Sequence, residues 1–143
     1  MKIEEIEKQI IEEFALFDEW EGKYEYLIEL GKEMPIMNEK LKTDDKLIKG
    51  CQSKVWLHSE IKDGKIIFTA DSDAIITKGI VALLVRVLSN HTPGEIIDTE
   101  LTFIDKIGLK EHLSPTRANG LVSMIKQMKL DALALNTQNE QMQ

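Results

Sequence analysis

The chain has 143 residues, 43 % of them hydrophobic and 30 % charged, which suits one soluble domain with a self-sufficient core. It has no run of about 18 uncharged apolar residues, the length that a membrane-spanning helix needs. Its net charge of −7 disfavours bulk attraction to nucleic acid or anionic lipid.

The charge is uneven: residues 1–50 hold eight lysines against fourteen Asp and Glu, and the remainder ten basic residues against eleven acidic. The acidic segment reads either as a solvated helix face or as a docking surface for a basic partner. Glu4, Glu5 and Glu7 stand where a secretory leader would require positive charge and then an apolar run. A cytoplasmic protein is expected.

In chain order, Ile3, Ile6, Ile10, Phe14 and Phe17 recur every three or four residues with charges between them, which predicts an amphipathic helix. Asp18 or a neighbour is placed to cap a second helix, with Trp20, Tyr24, Leu27 and Ile28 as its stripe, antiparallel to the first. From Met34 to Lys49 the pattern dissolves into a long loop, a kind of segment that is often functional.

After Gly50 and Cys51 the period changes to two. Val55 and Leu57 alternate with Trp56 and His58, Asp63-Gly64 makes a turn, and Ile66, Ile67 and Phe68 resume: a β-hairpin. A third strand near Lys46–Lys49 is weakly signalled. Ser72 or Asp73 is expected to cap a helix from about Ala74 to Ser89, apolar most of the way round and so central to the core. Thr92-Pro93-Gly94-Glu95 has the form of a capping box opening a short helix. Ser114-Pro115 opens the last long helix, with Leu121, Ile125, Met128, Ala132 and Leu135 buried. The polar tail 136–143 is expected to fray. The sum is one α+β domain over 1–143, with its core at about 3–135: a small antiparallel sheet of two or three strands covered by N- and C-terminal helices.

One cysteine excludes an intramolecular disulfide, and three histidines (His58, His91, His112) leave few ligands for zinc. The cysteines that an iron–sulfur cluster needs within one chain are missing, and no metal site is expected. Gly-rich phosphate loops, serine elbows and metalloprotease helices are absent as well. Asp71 and Asp73 are accounted for by helix capping.

Cys51 therefore acts, if at all, as a lone thiol. Such a residue is often a small buried hydrophobe. Against that, Gly50 places it where a loop enters a strand, and Lys49 and Lys54 are near enough in sequence to favour a thiolate. Arg117 stands in the first turn of the last helix, where the macrodipole disfavours a cation. It is either fully solvated or kept for a purpose other than helix stability. Gly120 costs helix stability too, and reads as a close packing contact.

Three segments in order now carry a resemblance. Gly50-Cys51-Gln52-Ser53-Lys54-Val55-Trp56, then Asp71-Ser72-Asp73-Ala74 with Lys78-Gly79, then Leu113-Ser114-Pro115-Thr116-Arg117 with Gly120-Leu121, resemble the SufE-like family of sulfur acceptors over roughly residues 5–135. The resemblance implies a fold like that of the IscU scaffold, without its cluster-ligating cysteines. It implies a partnership with a SufS-like cysteine desulfurase, whose persulfide passes sulfane sulfur to Cys51 and whose turnover is stimulated. Sulfur would then go to an iron–sulfur assembly scaffold complex. By the same resemblance Cys51 is the catalytic residue and Arg117, Gly50, Gln52 and Asp73 are partner-binding. No cofactor is implied for this chain, because pyridoxal phosphate (PLP) belongs to the partner. Lys46 departs from the small polar residue expected there.

Transfer by displacement on a persulfide follows thiol–disulfide exchange chemistry. A mobile Met34–Lys49 loop would let the thiol enter a partner's site and then withdraw. Such a protein is an accessory sulfurtransferase rather than a self-contained enzyme. The alternative from the binding class is a non-catalytic adaptor that activates the desulfurase allosterically, with Cys51 structural. A lone-cysteine peroxidase or redox sensor lacks a threonine–arginine arrangement around Cys51.

Overall fold

The computed structural model describes residues 1–142, and side chains through residue 138. Six helices and a two-stranded sheet make an α+β fold: α1 (Ile3–Phe14), α2 (Trp20–Glu33), β1 (Val55–Lys62), β2 (Lys65–Ser72), α3 (Ile75–Leu88), α4 (Pro93–Asp98), α5 (Phe103–Lys106) and α6 (Pro115–Met142). Among the described residues no helix is long and apolar enough to cross a membrane.

The predicted stripe of α1 is buried at Ile3, Ile10 and Phe14. Phe17 lies beyond the helix, its ring 5.2 Å from that of Tyr26. Glu7 is buried as well, and its carboxylate accepts the Phe103 N–H at 3.1 Å, which satisfies an orphan donor at the start of α5. The cap of α2 is Glu19 rather than Asp18, and no side chain closes it. Leu27 is fully buried, whereas Trp20 and Tyr24 are half-buried, with Trp20 stacked on His112 at 4.0 Å. α2 packs along α3 where Gly31 meets Gly79. A Cβ on Gly79 would stand 2.2 Å from the Leu27 carbonyl oxygen, so only glycine lets these backbones approach.

The hairpin forms as predicted. Asp63 and Gly64 both take positive φ (53° and 79°), the geometry of a tight two-residue turn, and the register runs from Lys62 opposite Lys65 to Val55 opposite Ser72. Val55, Leu57, Ile66, Phe68 and Ala70 bury the inner face. The third strand is reduced to a single bridge, Leu47 to Trp56, with the Ile48 N–H donating to the Val55 carbonyl at 2.9 Å. The chain arrives there from a 3-10 turn at Asp44–Lys46 and leaves through Gly50 at φ 92°, so pairing has no room to extend.

α3 is the central helix. Nine of its fourteen residues are buried, including Ile80, Val81, Leu83, Leu84, Val87 and Leu88. Its expected cap is not made: Ala74 occupies the N-cap position without a side-chain bond. Ser72 and Asp73 are engaged with β1 instead, as described below. α4 has the predicted capping box of Thr92 and Glu95. α5, a single turn, is too short to carry a periodic pattern. On α6 the buried stripe is Leu121, Met124, Met128 and Ala132, and the helix continues past Asn136 to Met142.

The Met34–Lys49 segment is anchored at several points. Met34, Met37 and Ile48 are buried, and Asn38 caps a 3-10 turn at Glu39–Leu41. Lys42 forms an ion pair with Asp71 of β2 while lying 5.6 Å from the Trp56 ring centroid.

Candidate functional site: the Cys51 cleft

Cys51 stands at the tip of a short loop that is fastened at both ends. On the entering side, the Ile48 N–H donates to Val55 O. On the leaving side, the Lys54 N–H donates to the Asp73 carboxylate at 3.0 Å. The Lys54 carbonyl accepts the Ser72 hydroxyl at 2.8 Å and the Asp73 N–H at 3.2 Å. Asp73 and Ser72 therefore clamp the loop, which corrects the expectation that one of them caps α3.

Within the loop Gly50 takes φ 92°, and a Cβ there would stand 2.4 Å from the Ser123 Oγ of α6. Gly50 thus turns the chain tightly against α6. That turn directs the Cys51 side chain to Gly120, whose carbonyl accepts the Sγ–H at 3.6 Å. The close contact expected at Gly120 is made with the cysteine itself: a Cβ on Gly120 would be 3.5 Å from Sγ.

Beside the sulfur lies a cleft of about 320 Å³, lined by Cys51, Gln52, Thr77, Ile80, Arg117 and Met124 among others. Two of the three segments that carried the resemblance line this cleft, the first through Cys51 and Gln52 and the third through Ser114, Arg117 and Gly120, while the second clamps the loop from behind through Ser72 and Asp73. The first turns of two helices, α3 through Thr77 and α6 through Thr116 and Arg117, reach the cleft wall. Helix N-termini favour negative charge by about 0.3–1 kcal/mol each when near the surface. Arg117 adds a full positive charge. It is exposed and has no salt bridge among the described residues, and its N–H is capped by Ser114 Oγ at 3.3 Å.

Cys51 itself is half-buried, and burial pushes its thiol up from the ordinary value. The hydrogen bond to Gly120 also favours the protonated form. Lys49 and Lys54 do not line the cleft; Lys49 lies instead on a separate hollow beside Asp131. The thiolate is therefore not stabilised by its sequence neighbours, contrary to what their spacing suggested.

Of the expected site residues, Cys51, Gln52 and Arg117 meet at the cleft, Gly50 backs it, and Asp73 holds the loop from outside. Thr77 was missed. Its signal was a polar residue three before Ile80, within a stripe otherwise made of apolar side chains. Behind the clamp, Asp71 accepts Lys42 and, at 3.3 Å, Lys78. Burial raises this carboxyl, but its bonds from Lys42, the Ser72 N–H and Lys78 outweigh that and hold it below the usual range. Among the described residues no group of three or more His, Cys, Asp or Glu could hold a metal ion.

Fold and site together define an α+β protein that presents one thiol on a clamped loop above a cleft bordered by Arg117 and the first turns of two helices. Comparison with known proteins then gives the family. Residues 8–132 match the SufE family model, described as a Fe-S metabolism associated domain, and the chain belongs to this family. It is 45 % identical over 129 residues to an uncharacterized SufE-like protein of Rhizobium meliloti (strain 1021), covering 87 % of this chain and 92 % of that one. It is 36 % identical over 135 residues to SufE-like protein 1, chloroplastic/mitochondrial, of Arabidopsis thaliana, covering 94 % of this chain but 36 % of the plant protein. The solution structure of a hypothetical protein from Thermus thermophilus superposes with a TM-score of 0.77 at 21 % identity, covering 92 % of this chain and 96 % of that one, and so has the same fold.

Proposed function

We propose that this protein takes sulfane sulfur from a SufS-like cysteine desulfurase as a persulfide on Cys51, stimulates that enzyme, and delivers the sulfur to an iron–sulfur assembly scaffold complex. The observation that carries the reading is the meeting of Cys51 and Arg117 at one cleft, in a chain of a family associated with Fe-S metabolism.

The transfer is a displacement between sulfurs. The Cys51 thiolate attacks the outer sulfur of the donor's cysteine persulfide, a new S–S bond forms at Sγ, the donor's S–S bond breaks, and the donor cysteine leaves as thiolate. No external oxidant or reductant is needed. Because burial holds the thiol protonated at rest, the attack requires the loop to lift Sγ from Gly120 and into the donor's site. The fastenings at Val55, Ser72 and Asp73 mark where such a movement would hinge. Return of the loop places the loaded sulfur in the cleft, away from oxidants and stray thiols. Exposed and without an ionic partner among the described residues, Arg117 is free to meet a carboxylate on the desulfurase. PLP is assigned to that partner, and the cytosol, where thiols stay reduced, is the compartment that suits a lone reactive cysteine.

The test is intact-mass spectrometry after incubation with desulfurase and cysteine: sulfur added to wild type and none to Cys51→Ser supports the reading, and equal addition to both overturns it. The half-burial of Cys51 favours a second reading, an adaptor that activates the desulfurase allosterically while Cys51 merely packs. That reading expects Cys51→Ala to stimulate cysteine turnover as wild type does when an external reductant clears the enzyme's persulfide.

A further inference from the structure

Thr77 is a polar residue placed where an apolar one would pack as well. It lies in the first turn of α3, 6 % exposed, on the wall of the Cys51 cleft. Its hydroxyl makes no hydrogen bond with any described residue. Nor is its oxygen sealed in the packing: among the described residues, only His58 Nδ1 is a fully enclosed side-chain nitrogen or oxygen without a partner. Valine has nearly the same shape and would fill the position without placing a hydroxyl on the cleft wall. The other hydroxyls around the cleft are placed differently. Ser114 is exposed and caps the Arg117 N–H, Thr116 is exposed, and Ser53 sits on the Cys51 loop itself. Thr77 alone combines a buried residue on the fixed wall with a hydroxyl that has no protein partner among the described residues.

The resting sulfur does not fill that role, since a thiol is a weak acceptor and its own hydrogen is directed at the Gly120 carbonyl. What changes on loading is the atom beyond Sγ. The outer sulfur of a persulfide loses its proton more readily than a thiol and becomes an anion. In a half-buried cleft an anion is penalised unless donors and positive potential meet it. The cleft has both: the first turns of α3 and α6 present positive helix ends, Arg117 stands at the wall, and Thr77 offers an O–H.

We infer that Thr77 donates a hydrogen bond to the anionic outer sulfur of a Cys51 persulfide, so that the cleft is a binding site for sulfane sulfur and not only a space that shelters it. This rests on the persulfide reading above. Release remains the same displacement: an acceptor thiolate attacks the outer sulfur, the S–S bond to Sγ breaks, and Cys51 leaves as thiolate. The Thr77 bond keeps the outer sulfur ionised, and so less electrophilic, until that moment.

The experiment loads the full chain with inorganic polysulfide, independently of any protein partner, and compares wild type, Thr77→Val and Thr77→Ser. Three readouts are taken: the pH at which the persulfide becomes alkylatable, the rate of sulfur release to a small thiol, and the melting temperature. In Thr77→Val the persulfide is expected to ionise at higher pH and to release sulfur about tenfold faster, the loss of one charge-assisted hydrogen bond. Thr77→Ser should stay near wild type. If Val matches wild type in both persulfide readouts, if Ser behaves as Val, or if only the melting temperature moves, the inference fails while the persulfide reading stands. If wild-type Cys51 takes up no sulfur either from polysulfide or from desulfurase and cysteine, both fail together.

Discussion

At Cys51, three local effects act on one sulfur atom. Burial raises the thiol and the Gly120 carbonyl accepts its proton, while two helix ends and Arg117 favour the anion. With the loop closed, the first two prevail. The resting protein should therefore be alkylated at neutral pH more slowly than a free cysteine, by about tenfold for each unit by which the thiol is raised. A profile of iodoacetamide rate against pH checks this: the rate should still be climbing above the pH at which a model thiol has levelled off. A plateau at or below that of a free thiol would mean that the positive helix ends dominate even at rest. The lysines nearest in sequence contribute nothing visible to this balance. Lys49 is carried to the hollow beside Asp131, with Gly50 turning the backbone by way of a positive φ between it and Cys51, and Lys54 does not line the cleft.

Among the elements, the loop that bears Cys51 is held chiefly by the β2–α3 corner. Removing the Asp73 carboxylate leaves the Lys54 N–H without its partner, a loss of about 1 kcal/mol for an ordinary hydrogen bond. Asp73→Ala is expected to speed alkylation of Cys51 about fivefold with little change in melting temperature, since the loop opens without the core. An unchanged rate would show that the Ile48–Val55 pairing alone holds the loop.

A second tie joins α1 to α3, where Arg86 makes two bonds, at 2.8 and 2.6 Å, to the Glu13 carboxylate, which also accepts the Tyr26 hydroxyl. Arg86 holds Glu13 below its ordinary value despite partial burial, and burial together with the Glu13 bond pushes Tyr26 up to about 12. A carboxylate depressed in the folded state stabilises it fully above the unfolded value, about 4.3 for glutamate, and that contribution is lost as pH falls through the folded value. Glu13→Gln should therefore lower stability at pH 7 by about 1 kcal/mol. The deficit should shrink in urea titrations taken at falling pH below about 4. A deficit independent of pH would assign the effect to packing instead.

Across the whole molecule, what could be read from the sequence follows from how local each feature is. The hairpin is legible because Asp63-Gly64 and the alternation around it are short-range signals. α4 is legible because its capping box is complete within four residues. The central helix shows itself through apolar coverage on nearly every face. Asp71, Ser72 and Asp73 look like a cap because their real partners, Lys42, Lys54 and Lys78, lie on other elements, and no local pattern reports such pairings. The Met34–Lys49 segment looks free because its anchors, Met34, Met37 and Ile48, follow no helical or strand period. At the site, Cys51, Gln52 and Arg117 can be named from the chain because they stand in the motifs that carry the family resemblance. Thr77 cannot, since it stands inside a helix that reads as core, and only the structure shows that it lines the cleft.

The cleft is assembled from three segments far apart in the chain, and the transfer chemistry belongs to that assembly. The most direct measurement is therefore of where the sulfur goes. The protein is incubated with desulfurase and isotopically labelled cysteine, alkylated, and mapped by peptide mass spectrometry. Label is expected as a single added sulfur on the Cys51 peptide, absent in Cys51→Ser. Stimulated desulfurase turnover with no label on Cys51 would contradict the carrier role and leave the adaptor in its place.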